Sequence, residues 1–272
     1  MTARRLEAKV ALVVGGGSGM GRAGAVAMAT EGASVVVSDI ALDRAETVAA
    51  SITGAGGTAV ALRADVTDAA LVERLVADTV SRFGRIDALY HCAADVDLVN
   101  HQDERLTELD DAIWQRIIDI HLTGTFNVLK HVGRQMIAQR SGSIIVSSTV
   151  DALVGCAGLD SYTAAKGGVT SMVRSFAAGV GKDGVRVNAI APSFVSTEPQ
   201  RVWLDDAAAR RTVESLHILA IPTPEQIAPF VVYLASDESC VVTGAVFPID
   251  AGYTAFKAQV DVMGAVSTSR PD

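Results

Sequence analysis

Short valine-rich runs alternate with longer helical patterns along this chain, and this alternation strongly constrains the fold. Seven runs of five or six residues predict strands at 10–14, 34–39, 59–64, 88–93, 143–147, 186–190 and 245–249. Apolar residues at three- and four-residue steps predict helices at 20–30, 43–53, 68–82, 110–139, 162–179 and 224–235. Strands that alternate with helices form βαβ units. The expected fold is α/β, a Rossmann-type doubly wound, seven-stranded and mostly parallel sheet with helices on both faces.

No linker or repeat divides the 272 residues. We expect one catalytic domain over residues 1–256 and a C-terminal tail over 257–272. Residues 192–223 contain three of the seven prolines and interrupt the strand and helix rhythm. Long irregular connections in compact domains are often lids or binding segments, so this stretch is expected to cover a substrate.

Charge and composition exclude several classes of partner. The net charge of -8 argues against a phosphate-backbone partner, which needs a clustered basic face. No apolar run reaches the roughly 20 residues of a transmembrane helix. The three cysteines lack CxxC spacing, and no histidine or acid cluster has metal-ligand spacing. We therefore expect a cytoplasmic protein with no nucleic acid, membrane or metal partner.

A glycine-rich loop, GGGSGMGR, follows the first predicted strand directly. A phosphate group must approach backbone N–H groups at a helix N-terminus, and residues without a Cβ allow that approach. The spacing Gly19, Gly21, Gly24 fits GxGxxG literally but begins too far beyond the strand. Gly15, Gly19 and Gly21 begin where the strand ends, and they are the preferred phosphate-binding set.

Asp39 ends the second predicted strand, 18 residues after Gly21, close to where a dinucleotide site carries a ribose-binding acid. Its carboxylate would repel a 2'-phosphate by up to about 4 kcal/mol at 4 Å and an effective dielectric near 20. Arg22 and Arg44 are the nearest basic residues in sequence that could compensate. NAD is therefore favoured over NADP.

Tyr162 and Lys166 lie four residues apart, so on a helix their side chains share one face. An ammonium near a phenol stabilises the phenolate and lowers the phenol pKa. Such a tyrosine can exchange a proton as an alcohol and a carbonyl interconvert. Ser147 and Ser148 close the preceding strand and can reach the same crevice.

With these residues in place, the chain resembles the short-chain dehydrogenase/reductase family over nearly its whole length. The resemblance rests on the glycine loop, Asp65-Val66, Ser148, Tyr162 with Lys166, and VNAIAPSFVST at 187–197. It implies hydride transfer between a nicotinamide and a carbinol carbon, with Tyr162 as acid/base and Ser148 on the substrate oxygen. With the loop and Asp39, the implied cofactor-binding set is Gly15, Ser18, Gly19, Met20, Gly21, Asp39, Ile40, Asp65, Val66, Ala93, Tyr162, Lys166, Pro192, Val195 and Thr197.

His121 is a departure from the family, which usually has asparagine at this position to relay protons from the lysine. On sequence alone it lies in a helical apolar stripe, where a histidine is most often a core residue. Neutral imidazole has one donor and one acceptor, so it could replace the asparagine. We interpret His121 as a fourth catalytic residue, with a crippled relay as the alternative. HCAA at 91–94 also departs, standing where the family usually has Asn-Asn-Ala-Gly.

The residues around the site favour a hydrophobic or cyclic secondary alcohol and its ketone as substrates. The segment between Ser148 and Tyr162 is apolar apart from its acids. A 3-oxoacyl reductase and an aromatic dihydrodiol or hydroxysteroid dehydrogenase remain alternatives, as does a non-catalytic NAD sensor. The resemblance further implies a homotetramer or homodimer packed through the helices predicted at 110–139 and 162–179.

Overall fold

The computed structural model describes residues 4–255, apart from the side chain of Val202. The predicted tail at 257–272 lies outside this range. Seven strands form one sheet: β1 (Val10–Val14), β2 (Ser34–Asp39), β3 (Thr58–Arg63), β4 (Ala88–His91), β5 (Gly142–Ser147), β6 (Val185–Pro192) and β7 (Val246–Ile249). Their order is β3-β2-β1-β4-β5-β6-β7, and every pairing is parallel. The Rossmann-type prediction is confirmed.

The helices cover both faces of this sheet. They are α1 (Gly19–Thr30), α2 (Leu42–Gly54), α3 (Ala69–Phe83), α4 (Val96–Gln102), α5 (Asp111–Ile118), α6 (Gly124–Gln139), α7 (Asp160–Val180), α8 (Arg201–Leu204), α9 (Ala207–Ser215) and α10 (Pro224–Ala235). None of the described helices is long and apolar enough to cross a membrane.

Strand β1 lies in the interior of the sheet, third from the β3 edge, and is buried on both faces. Its alternate residues face opposite sides: Ala11 and Val13 join a core with α1, α2 and α10, whereas Leu12 and Val14 join a core with α3, α6 and α7. The neighbours of β1 are β2 and β4. The strand order therefore reverses at β1, and ligands of open α/β sheets bind beyond the strand ends at such a reversal.

The single helix predicted at 110–139 is wrong in one respect. A π-helical turn, Asp119–Thr123, separates α5 from α6. A π turn accommodates an extra residue, and such turns are frequent at functional sites. This one carries His121.

Residues 192–223, predicted as a covering segment of loops and helices, contain the two short helices α8 and α9.

Candidate active site

The glycine loop turns sharply from β1 into α1. Gly15 and Gly19 have φ of +79° and +49°, a region that L side chains rarely adopt. A Cβ on Gly15 would lie 2.5 Å from the backbone of Ala93, and one on Gly21 would overlap the Gly15 carbonyl oxygen. Gly24 instead packs on the ring of Tyr90, where a Cβ would be 2.7 Å from the ring carbons. In the preferred register, therefore, Gly15 and Gly21 are required by close approach of the backbone within the turn.

Asp39, at the end of β2, is hydrogen-bonded to this loop. Its Oδ2 accepts a hydrogen bond of 2.9 Å from the Gly17 N–H, and its Oδ1 accepts one of 3.0 Å from the Ala41 N–H. The carboxylate is half-buried and lines the large cleft described next. A negative charge is therefore held where the second strand meets the glycine loop.

A cleft of about 1420 Å³ extends along the carboxyl ends of the strands. It brings together almost all of the residues predicted for the site. Those on its wall are Gly15, Ser18, Gly19, Met20, Asp39, Ile40, Asp65, Val66, Ala93, Ser148, Tyr162, Lys166, Pro192, Val195 and Thr197. Gly21 and His121 are not on the wall: Gly21 is buried beneath the loop, and His121 is buried behind Tyr162.

Ser148, Tyr162 and Lys166 meet where β5 and α7 approach each other. The Lys166 ammonium lies 5.7 Å from the Tyr162 ring centroid and donates a hydrogen bond of 2.8 Å to the Ser147 carbonyl. The Ser148 hydroxyl donates a long bond of 3.4 Å to the Lys166 carbonyl. Burial lowers the pKa of Lys166 to about 8. The tyrosine, serine and lysine therefore share one polar pocket.

The pKa of Tyr162 differs from the sequence-based expectation. Burial raises it well above its ordinary value, and the charges of Asp151 and Cys92 act in the same direction. We expected Lys166 to lower it. The reason is distance and desolvation: the ammonium lies over the ring, and it is bonded to a carbonyl rather than to the phenol oxygen.

Asp103 fixes the start of α7, and sequence reasoning missed it. Its Oδ2 accepts from the Tyr162 N–H at 2.9 Å, and its Oδ1 accepts from the Ser161 hydroxyl at 2.6 Å and N–H at 3.2 Å. It lies after α4, a short helix that the sequence patterns also missed. Asp103 thus holds the turn that carries Tyr162.

We expect Asp103→Ala to lower the free energy of unfolding by about 1–2 kcal/mol, because three donors at a helix start lose their acceptor. Urea denaturation measures this change. Glu104→Gln is the matched control, since Glu104 is an exposed neighbour whose side chain accepts none of these bonds. Equal stability of the two variants would show that Asp103 does not fix the helix.

His121 is fully buried against Tyr162. The two ring centroids are 5.1 Å apart and the planes are nearly perpendicular, at 87°. Among the described residues, neither ring nitrogen has a hydrogen-bond partner of good geometry. Burial holds the pKa of His121 well below its usual range. The charges of Lys166 and His91 lower this pKa further, whereas the backbone of Asp95 acts in the opposite direction. The imidazole is therefore neutral near pH 7.

His91, at the end of β4, is a second buried histidine that sequence reasoning did not assign to the site. Its Nε2 lies 3.0 Å from the Thr125 hydroxyl, which donates to the His121 carbonyl at 2.7 Å. The one threonine proton is thus used, so His91 must donate from Nε2 and keep Nδ1 as an acceptor. Burial and Lys166 lower its pKa to about 3. Its place in HCAA was the only signal in the sequence.

Residues 192–223 form one wall of the cleft. Phe194, Trp203, Leu216 and His217 line it there. The His217 Nε2 lies 2.9 Å from the Ser193 hydroxyl, which connects α9 to the end of β6. The segment thus lines the cleft, and its covering role stays a prediction.

The chain is similar to known proteins over most of its length. Residues 15–254 match the family model described as Enoyl-(Acyl carrier protein) reductase. The chain is 39% identical to the cis-4-hydroxycyclohexanecarboxylate dehydrogenase of Sinomonas cyclohexanicum, over 91% of this chain and 97% of that one. It is 35% identical to the 3-oxoacyl-[acyl-carrier-protein] reductase FabG of Thermotoga maritima, over 91% and 98%. The crystal structure of levodione reductase superposes with a TM-score of 0.85 at 32% identity, covering 93% of this chain and 100% of that one.

Proposed function

Because the chain belongs to the short-chain dehydrogenase/reductase family of nicotinamide-dependent oxidoreductases, we propose that it interconverts a hydrophobic or cyclic secondary alcohol and its ketone with NAD. The observation that carries this proposal is the convergence of Ser148, Tyr162 and Lys166 on one cleft with the glycine loop and Asp39. The glycine loop alone, or the pair Tyr162 and Lys166 alone, would be weaker evidence for a dehydrogenase.

The residues of the glycine loop and strand ends fit a dinucleotide. Glycine allows the tight turn that ends at the N-terminus of α1, and the N–H groups there would bind a phosphate. Asp39 would bind ribose hydroxyls, and Asp65 with Val66 would flank the adenine. Ala93, Pro192, Val195 and Thr197 would surround the nicotinamide end. When bound, the cofactor would supply the acceptor for a hydride from the carbinol carbon.

The protein's own residues handle the proton. Ser148 would hold the substrate oxygen by a hydrogen bond, and Tyr162, once it has lost its own proton, would take the alcohol proton on its phenolate oxygen as the hydride leaves. A phenol with a raised pKa is a poor base until positive charge lies beside it. The Lys166 ammonium, which can turn from the Ser147 carbonyl to the ribose hydroxyls, would supply part of that charge.

We propose that His121 passes the proton onward from this pocket. The neutral ring can accept at one nitrogen and donate at the other, and neither nitrogen has a hydrogen-bond partner of good geometry among the described residues. Buried polar atoms of this kind usually bond to an internal water. His91 Nδ1 is likewise buried without a hydrogen-bond partner among the described residues.

Substitution of His121 separates a relay from a packing role. We expect His121→Asn to keep most of the activity and His121→Ala to lower kcat by about tenfold or more, with its pH dependence displaced to higher pH, because proton release becomes harder. Because the pKa of His121 is lowered, protonation of this ring should not limit the wild-type rate near neutrality. Rates measured from pH 6 to 10 check this. An alanine variant with unchanged rate and pH profile would exclude the relay.

A 3-oxoacyl reductase is the second candidate function, supported by 35% identity to the Thermotoga maritima enzyme. The charge of Asp39 argues for NAD and, with it, for alcohol oxidation. A non-catalytic NAD sensor would not need Tyr162 and Lys166 in register with Ser148. A panel of secondary alcohols, ketones and 3-oxoacyl thioesters, each with NAD and NADP, distinguishes the three. NADH binding without turnover of any of them would favour the sensor.

We further propose a homotetramer or homodimer that packs through α5, α6 and α7. Phe126 on α6 is 48% exposed in the single chain, with the Lys130 ammonium 5.7 Å from its ring centroid. An aromatic ring exposed on a long helix is a suitable contact for a second copy.

A further inference from the structure

Asp151 is an acid inside the substrate end of the cleft. It lies in a short 3-10 turn, Val150–Ala152, directly after Ser148 and Thr149. The side chain is half-buried and shares the cleft wall with Tyr162, Cys156 and Tyr253. Burial raises the pKa of each of these three groups, and the charge of Asp151 raises it further. A carboxylate therefore faces the same space as the proposed acid/base.

The carboxylate keeps unused hydrogen-bonding capacity. Its Oδ2 accepts a bond of 2.8 Å from the Thr149 hydroxyl, which orients the group. Within residues 4–255, no other residue donates a hydrogen bond to Oδ1, and no lysine or arginine forms an ion pair with Asp151. A partly desolvated carboxylate has four acceptor positions and gains from a donor supplied by a ligand.

We propose that Asp151 is a specificity residue that accepts a hydrogen bond from a second hydroxyl on the substrate, so the preferred substrate is a cyclic diol rather than a simple alcohol. This inference rests on the function proposed above, because the first hydroxyl is the one that reacts at Tyr162. It names the substrate class more narrowly: an apolar ring with one reacting and one anchoring hydroxyl.

Charge distinguishes a hydroxyl from the other groups that a substrate could present here. A substrate carboxylate would be repelled by Asp151, so a hydroxycyclohexanecarboxylate, the compound in the name of the Sinomonas relative, should be a poor substrate. An ammonium would be attracted but must lose its strong hydration among Cys156, Leu159 and Trp203, which also line the cleft. A neutral hydroxyl carries neither cost.

The experiment compares kcat/KM for cyclohexanol, the 1,2-, 1,3- and 1,4-cyclohexanediols, 2-aminocyclohexanol and 4-hydroxycyclohexanecarboxylate, all with NAD. The readout is the ratio of the best diol to cyclohexanol within each protein, so a general loss of activity cancels. For the wild type we expect a ratio of about 10 to 100, the range for a hydrogen bond to a charged group. Asp151→Ala should lower this ratio about tenfold or more, and Asp151→Asn should lower it less.

Asp97→Asn is the matched control, because Asp97 is an exposed acid on the rim of the same cleft. Its ratio should equal that of the wild type. An unchanged ratio in Asp151→Ala, or a stronger preference for the amino alcohol than for any diol, would overturn the role assigned to Asp151. If the wild type oxidised none of the alcohols, the proposed function itself would be refuted. The two failures are therefore distinguishable.

Discussion

Replacement of Tyr162 by phenylalanine should lower kcat for NAD-linked alcohol oxidation by about 10²- to 10⁴-fold, the range associated with loss of a general acid or base. Phenylalanine keeps the ring and its edge contact with His121, whose centroid is 5.1 Å away. Only the phenol oxygen, which would take the substrate proton in its ionised form, is removed. Steady-state rates with saturating NAD and alcohol measure the change.

Two controls make the Tyr162→Phe result interpretable. NADH binding, followed by fluorescence, should change little, because Lys166 and the glycine loop are intact. Thr163→Val is the matched variant on the same turn of α7: the Thr163 hydroxyl is buried without a partner among the described residues. A Tyr162→Phe protein that retained more than about a tenth of the wild-type kcat would remove Tyr162 from the chemistry.

Replacement of Asp39 by serine should shift cofactor preference toward NADP. The upper estimate of about 4 kcal/mol for repulsion of a 2'-phosphate corresponds to about a 10³-fold change in the ratio of kcat/KM for NADP to that for NAD, and screening lowers it to about 10- to 100-fold. Arg44 lines the same cleft and would then meet the phosphate without competition from Asp39. Ile40→Arg, added at a position that is 58% exposed, should raise the ratio further.

Asp39 also bonds the loop, so stability must be measured alongside the cofactor ratio. Loss of its bonds to the Gly17 and Ala41 N–H groups should reduce the activity with NAD in addition to any electrostatic effect. Asp43→Asn, which removes an exposed negative charge nearby, is the control and should leave the ratio unaltered. If Asp39→Ser and Asp43→Asn gave the same cofactor ratio, the selection of NAD by Asp39 would be wrong.

The fold was largely predictable because each strand is an apolar run bounded by glycine or polar residues. Each of the seven predicted strands overlaps an observed one, and their ends differ by at most two residues. Buried parallel strands have this continuous pattern since both faces are covered. The helix 110–139 was only partly predictable: the apolar spacing continues across the π turn at Asp119–Thr123, so no break is visible in the sequence.

The site was predictable where a motif fixes the local backbone. Gly15 and Gly21 are required by close approach of the backbone, and Tyr162 and Lys166 share a helical face. Asp103 and Asp151 were not predictable in this way. Asp103 depends on a contact between distant segments, because it accepts a hydrogen bond from Tyr162, 59 positions further along the chain. Asp151 is close to Ser148 in sequence, but the direction of its side chain depends on the 3-10 turn that follows β5. A propensity or a spacing rule contains no information about such contacts.

The most direct test of the proposed function follows the transferred hydrogen. The wild-type protein is incubated with NAD and a cyclic secondary alcohol, a cyclohexanol or cyclohexanediol, that carries deuterium on the carbinol carbon, and the reduced cofactor and ketone are analysed by mass spectrometry. We predict one deuterium on the reduced nicotinamide for each ketone formed, with NAD used in preference to NADP. Absence of ketone and of labelled cofactor, across the alcohol panel and with both cofactors, would contradict the assignment.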